Sequence, residues 1–154
     1  METRQKFYEI FYPLIRSAPA ESAISVLQNL LERWPDFAVA HNDLGVLYYN
    51  RGEKEKALPH YREAARLQPE NITFRKNLAD FYYIEQGRIE EALELYVSIL
   101  RSHPEDIETL MATGHICESL NKPDDARVFY NRILEIEPWN TEARQKLEPA
   151  MHEI

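Results

Sequence analysis

His115, Cys117 and Glu118 form the densest grouping of side chains in this sequence that could ligate a metal or move a proton. On a helix, His115 and Glu118 lie three residues apart and share a face, while Cys117 points elsewhere. A zinc centre needs three or four convergent ligands, so this grouping falls short of one. The glycines are isolated, which rules out a glycine-rich phosphate loop, and there is no nucleophile elbow or other compact catalytic motif. Arg62, Arg66, Arg127, Arg132 and Arg144 are interleaved with glutamates, the pattern of a solvated helix surface. No catalytic residue, cofactor or metal is expected, which leaves recognition as the chemistry these side chains can perform.

The totals narrow the setting in which such recognition would occur. The chain has 154 residues, 44% hydrophobic and 29% charged, a balance suited to one domain with its own core. Acids outnumber bases 26 to 18 for a formal charge of −8, which disfavours nucleic acid and anionic membrane surfaces as partners. Cys117 is the single cysteine, so no disulfide can form within the chain. Apolar runs are short, and the N-terminal stretch METRQKFYEIFYPLIRSAPA is broken by charges and Pro13. Neither a membrane span nor a secretory leader is read from it. A soluble, cytoplasmic protein is the expectation.

The elements that position the side chains follow from a repeat. Pro35, Pro69, Pro104 and Pro138 are separated by 34, 35 and 34 residues, and so are Ala23, Ala57, Ala92 and Ala126. Tyr61, Tyr96 and Tyr130 each follow one of these alanines by four residues, with Leu27 in the first copy. Gly45 and Gly114 lie two periods apart with Ala79 between them. A glycine inside a helix costs about 1 kcal/mol relative to alanine. Small residues recurring with this period therefore imply helices that approach closely there, with tyrosines and leucines filling the adjoining space.

Each period reads as two helices. AVAHNDLGVLYYNR and KEKALPHYREAARLQ flank a turn at Arg51-Gly52-Glu53, and Pro69 ends the pair. The next period repeats the scheme around Gly87, with one extra residue near Gln86. In the last, Asn121-Lys122-Pro123 makes the turn, and Pro123 suits the first helical position. No alternating β-branched run suggests a strand. Pro13 should kink, shorten or displace the first helix, whereas Pro59 allows either a helix from Lys54 with a local bend or a later start near Ala57.

This layout resembles the tetratricopeptide repeat, a 34-residue helix-turn-helix unit. Leu44, Gly45, Tyr48, Ala57, Tyr61, Ala64 and Pro69 match its pattern, with His41 in place of the usual tryptophan and thus packed between helices. Leu78, Ala79, Tyr82, Ala92, Tyr96, Ile99 and Pro104 follow, and then Leu110, Gly114, Cys117, Ala126, Tyr130, Ile133 and Pro138. Cys117 thereby falls at a core-facing tyrosine position. The first unit is degenerate, with Phe7, Ile10, Phe11 and Leu14 standing in. The resemblance implies an all-α, right-handed α-solenoid of about four units in a single domain. The units span about 4–37, 38–71, 72–106 and 107–140, and a C-terminal capping helix lies within 141–154.

It also implies a concave groove lined by the first helix of each unit. The corresponding positions are Tyr8, Glu9, Tyr12 and Arg16; then Asn42, Asp43, Val46, Tyr49 and Asn50. The third unit supplies Lys76, Asn77, Asp80, Tyr83 and Ile84, and the fourth Glu108, Met111, His115, Glu118 and Ser119. Tyrosines with a polar tip and asparagines able to bond a peptide backbone suit a binding face. The acids on this stripe outnumber Arg16 and Lys76, so a protein or peptide ligand of neutral to basic character with apolar anchors is expected. Some members grip a C-terminal carboxylate with lysines, asparagines and an arginine. Here Lys76 matches the first lysine, but Asp80 and Ala112 replace the asparagines. Set one repeat earlier, Asn42, Val46, Glu108 and Ala112 all depart from the pattern, so the clamp is not expected.

The resemblance implies a non-enzymatic scaffold or adaptor. Two alternatives accompany it: a recognition module cut from a larger protein such as a transferase, and self-assembly through the apolar first-helix cluster Phe7, Tyr8, Phe11 and Tyr12.

Overall fold

The computed structural model describes residues 2–148, all of whose regular structure is helical. Contacts divide the chain into two compact units, Met1–Leu78 and Ala79–Ile154. The first contains α1 (Glu2–Ser17), α2 (Ala20–Arg33), α3 (Ala38–Asn50), α4 (Lys54–Leu67) and most of α5 (Ile72–Asp80). The second holds the end of α5, a π-helical turn at Phe81–Glu85, α6 (Ile89–Ser102), α7 (Ile107–Ser119), α8 (Pro123–Ile136) and α9 (Thr141–Leu147). The all-α class expected from the sequence is what the structure shows. Of the capping segment, positions 149–154 lie outside the described residues.

The recurring prolines set where each second helix ends. Trp34, Gln68, His103 and Glu137 precede them, with φ between −135° and −123° and ψ between 72° and 83°. A following proline ring disfavours the helical region for its neighbour, and these four residues have all left it. Side-chain caps then start the next helix. Asn71 accepts from the Thr73 N–H at 3.0 Å, Asp106 from Thr109 at 3.0 Å and Asn140 from Ala143 at 3.0 Å.

The turns inside the pairs share one device. Gly52, Gly87 and Asn121 all adopt positive φ, at 78°, 60° and 57°. Each lets the next N–H fold back onto the first helix: Glu53 to the Tyr48 carbonyl at 2.9 Å, and Lys122 to Cys117 at 2.8 Å. Arg88 instead reaches the Tyr82 carbonyl at 2.8 Å, one residue further along the chain. The extra residue of the third period is absorbed by the π-helical turn that carries Tyr82.

The small residues act as the sequence implied. A Cβ on Gly45 would stand 2.7 Å from Tyr61 Cδ1, and one on Gly114 would stand 2.5 Å from Tyr130 Cε1. In the first unit Leu27, Leu44, Ala57, Tyr61 and Ala64 are buried; in the second Ala92, Tyr96, Ile99, Ile116, Tyr130 and Ile133 are. Cys117 belongs to the latter core, against Leu110, Tyr130 and Ile133, and burial pushes its thiol above the usual range.

Two prolines depart from or resolve the expectations. α1 is not shortened at Pro13 but continues through it as a 16-residue helix. Pro13 is exposed, so water can satisfy the carbonyl that its missing N–H leaves open. Pro59 is likewise exposed, and α4 starts at Lys54, the earlier of the two alternatives.

Candidate functional site

In the first unit a polar relay links α1, α3 and α5. The Tyr8 hydroxyl donates to Asp43, and the Asn77 amide donates to the Asn42 side-chain oxygen at 2.8 Å. Asn42 is buried, as is Tyr8, while Asp43 is half-buried. Burial pushes the Asp43 carboxyl above its ordinary range, opposed by hydrogen bonds from Tyr8 and the Asn42 side chain. Asn42 and Asp43 thus tie successive first helices together.

The same helices carry three of the side chains expected to line a groove. Tyr12 is 40% exposed, with its ring 5.4 Å from Tyr8 and the Arg16 guanidinium 5.8 Å from its centroid. Tyr49 and Lys76 are half-exposed on α3 and α5. Such rings offer broad contact area with little rotamer freedom to lose.

Removing the relay donor tests its strength. Tyr8→Phe should cost about 1–2 kcal/mol at neutral pH, because it strips a half-buried carboxylate of one hydrogen bond. The bond favours charged Asp43, so the gap from wild type should narrow as the pH falls and Asp43 takes up its proton. Urea unfolding midpoints of both proteins at pH 7 and pH 4 measure this difference.

In the second unit Asp80 accepts from the Tyr96 hydroxyl, and Tyr83 is half-exposed in the π-helical turn. Met111 packs against the Leu110 and Cys117 cluster. His115 and Glu118 face α9 rather than Cys117. His115 Nε2 lies 3.3 Å from the Glu142 carboxylate, and Lys146 Nζ donates to Glu118 at 2.6 Å. Burial is the largest influence on Glu118 and pushes it upward, but the bond from Lys146, the Tyr130 hydroxyl and the charges of Lys146 and His115 together hold the carboxyl below the usual range. Among the described residues no three His, Cys, Asp or Glu side chains converge as a metal site.

Sequence reasoning did not assign roles to several residues that matter here. Glu142 and Lys146 engage predicted surface positions, and no local spacing announces a partner nearly thirty residues away. His60 pairs with His41, whose packed position was expected. In the first-helix cluster, Tyr8 is buried, and Phe7 and Phe11 border a groove of about 310 Å³ with Leu30, Arg33 and Trp34. The strongly exposed apolar residues of α1 are instead Ile10 at 69% and Leu14 at 59%.

Tandem helix pairs joined by positive-φ turns and closed by periodic prolines define a helical repeat protein. Three tetratricopeptide repeat profiles match residues 38–71, 55–116 and 107–138, and the chain belongs to that family. Protein O-mannosyl-transferase TMTC3 of Mus musculus is 25% identical over 136 residues, which cover 79% of this chain and 15% of the transferase. The crystal structure of a tetratricopeptide repeat protein from Parabacteroides merdae superposes with a TM-score of 0.83 at 26% identity, covering 95% of this chain and 58% of that one. The first repeat domain of Spaghetti (RPAP3), solved with the HSP90 peptide SRMEEVD, gives a TM-score of 0.64 at 24% identity over 71% of this chain and 86% of that one. This chain thus spans a small part of the transferase's length and somewhat over half of the Parabacteroides protein. Among the described residues no helix is long and apolar enough to cross a membrane.

Proposed function

We propose that this chain is a non-catalytic module that binds a protein or peptide segment through the first helices of its repeats, as a scaffold or adaptor in the cytoplasm. Tyr12, Tyr49, Tyr83 and Met111 are the apolar anchor points in this reading, with Asn42, Asp43, Lys76, Asn77, Asp80 and His115 as the polar contacts. The observation that carries it is the relay joining the helices that bear Tyr12, Tyr49 and Lys76. Part-buried hydrogen bonds from Tyr8 and Asn77 tie α1, α3 and α5 together, so the rings on these helices stand on a common base. The fold of a peptide-bound relative supports the class of ligand. The acidic peptide of that relative is not the expected ligand here, since Asp80, Ala112, Val46 and Glu108 stand where amides and bases would grip its carboxylates.

A displayed library of random peptides tests this directly. The wild type should enrich neutral to basic sequences with apolar anchors, and SRMEEVD should not compete with them. Tyr49→Ala, Asn77→Ala and Tyr83→Ala combined should weaken the selected peptide at least tenfold while the helical signal stays intact. An unchanged affinity would remove the first-helix assignment. The similarity to part of a mannosyl-transferase favours a second reading, in which the same surface serves as the recognition module of a larger enzyme.

A further inference from the structure

His41 on α3 and His60 on α4 face each other through like atoms. Their Nδ1 atoms are 3.0 Å apart, and the other ring nitrogen of His41, Nε2, lies 2.8 Å from the Pro35 carbonyl oxygen. That oxygen can only accept, so His41 Nε2 carries a proton. A neutral His41 then presents a bare Nδ1 to His60, which must donate. If His41 is charged, it donates through Nδ1 and His60 must be bare there. Both arrangements place one proton between the rings. A second would set two N–H groups and two positive charges against each other at hydrogen-bond distance.

One neighbouring carboxylate, Glu63, interacts with the His41 charge, but its main partner is Arg66. Glu63, one turn after His60 on α4, is held by Arg66 at 2.9 and 2.5 Å. Tyr48 of α3 stacks on His60 with centroids 5.7 Å apart, accepts from Gln28 of α2 at 3.0 Å and carries Lys56 of α4 over its ring at 5.5 Å. Lys56 is itself ion-paired with Glu53 at 2.6 Å, so neither charge is free to answer the histidines. Burial and the adjacent His41 already hold His60 below the ordinary histidine range.

We propose that His41 and His60 form a proton-gated latch, which fastens α3 to α4 with one shared proton and releases when it takes a second. This inference does not rest on the binding reading above. In the unfolded chain both imidazoles take up protons near pH 6.5. The folded pair resists the second, so below that pH the unfolded state binds more protons and stability falls. Above it the contribution is intact.

The test uses the full chain treated with EDTA. Between pH 7.5 and pH 5.5 the folded-to-unfolded ratio should fall about tenfold further in wild type than in His60→Gln, which keeps a donor that does not titrate. Parallel pH profiles would overturn the latch. Should the variant not fold, nitrogen-15 imidazole spectra of wild type decide instead. They should show His41 protonated at Nε2 at pH 7.5 and only one of the two rings charged at pH 5.5. Two fully charged rings in an intact fold would overturn the proposal, as would a loss of stability on adding EDTA, since a metal would then be the bridge.

Discussion

Tyr96→Ala is expected to lower stability by about 3–5 kcal/mol, the range for deleting a large, fully packed side chain. Tyr96 is 1% exposed and lies among Ala92 and Ile99, both at 0%. Truncation would leave a cavity that the rigid helix pair cannot close. The lost hydrogen bond to Asp80 should add little, because Asp80 is exposed and water can replace the hydroxyl. Tyr96→Phe separates the two effects and should cost no more than about 1 kcal/mol. Urea unfolding of both variants reads the difference. Equal, small losses would mean that the ring does not hold the helices together.

Gly114→Val is the counterpart, adding atoms where Tyr96→Ala removes them. The new Cβ would lie 2.5 Å from Tyr130 Cε1 and 2.9 Å from its Cζ, and Tyr130 is itself 1% exposed. The ring has no free space to enter, so the helices must separate or the side chains strain. Overpacking of this kind costs about 1–3 kcal/mol, more than the few tenths that valine gains over glycine in helix propensity. Combining Gly114→Val with Tyr130→Leu should recover part of the loss, since the clash is with the ring. Additive losses in that double variant would place the strain elsewhere.

Both effects rest on features that were legible before any coordinates. The Gly45–Tyr61 and Gly114–Tyr130 contacts repeat because every helix pair solves the same packing problem, so their period surfaces in the sequence. The prolines and the turn residues Gly52, Gly87 and Asn121 were readable for a similar reason, since backbone geometry restricts which residues can stand there. The stripe of candidate binding positions was an implication of the family resemblance, and its internal bonding was not implied by anything in the sequence. Asn42 has several neighbours one period away, and nothing in residue type selects the Asn77 amide over a ligand. The bonds from α9 to His115 and Glu118 depend on how a short last helix settles. His60 escaped notice because it sits beside exposed Pro59 on the flank of α4, where a histidine reads as surface. The fate of α1 at Pro13 was likewise undetermined, because the cost of a missing N–H depends on whether water reaches the opened carbonyl.

The π-helical turn at Phe81–Glu85 bears on how such chains can change length. One residue inserted into an ordinary α-helix rotates everything after it by about 100° and would turn buried side chains outward. Here Leu78 and Ala79 remain buried ahead of the widened turn, Ala92 and Tyr96 remain buried after it, and Ile84 within it takes up the surplus at 67% exposure. The insertion is quarantined within a single turn, so its neighbours keep their phase. A lineage of these repeats can therefore gain or lose a codon at this point without renegotiating its core, and the displaced apolar side chain it leaves outside becomes raw material for a new surface.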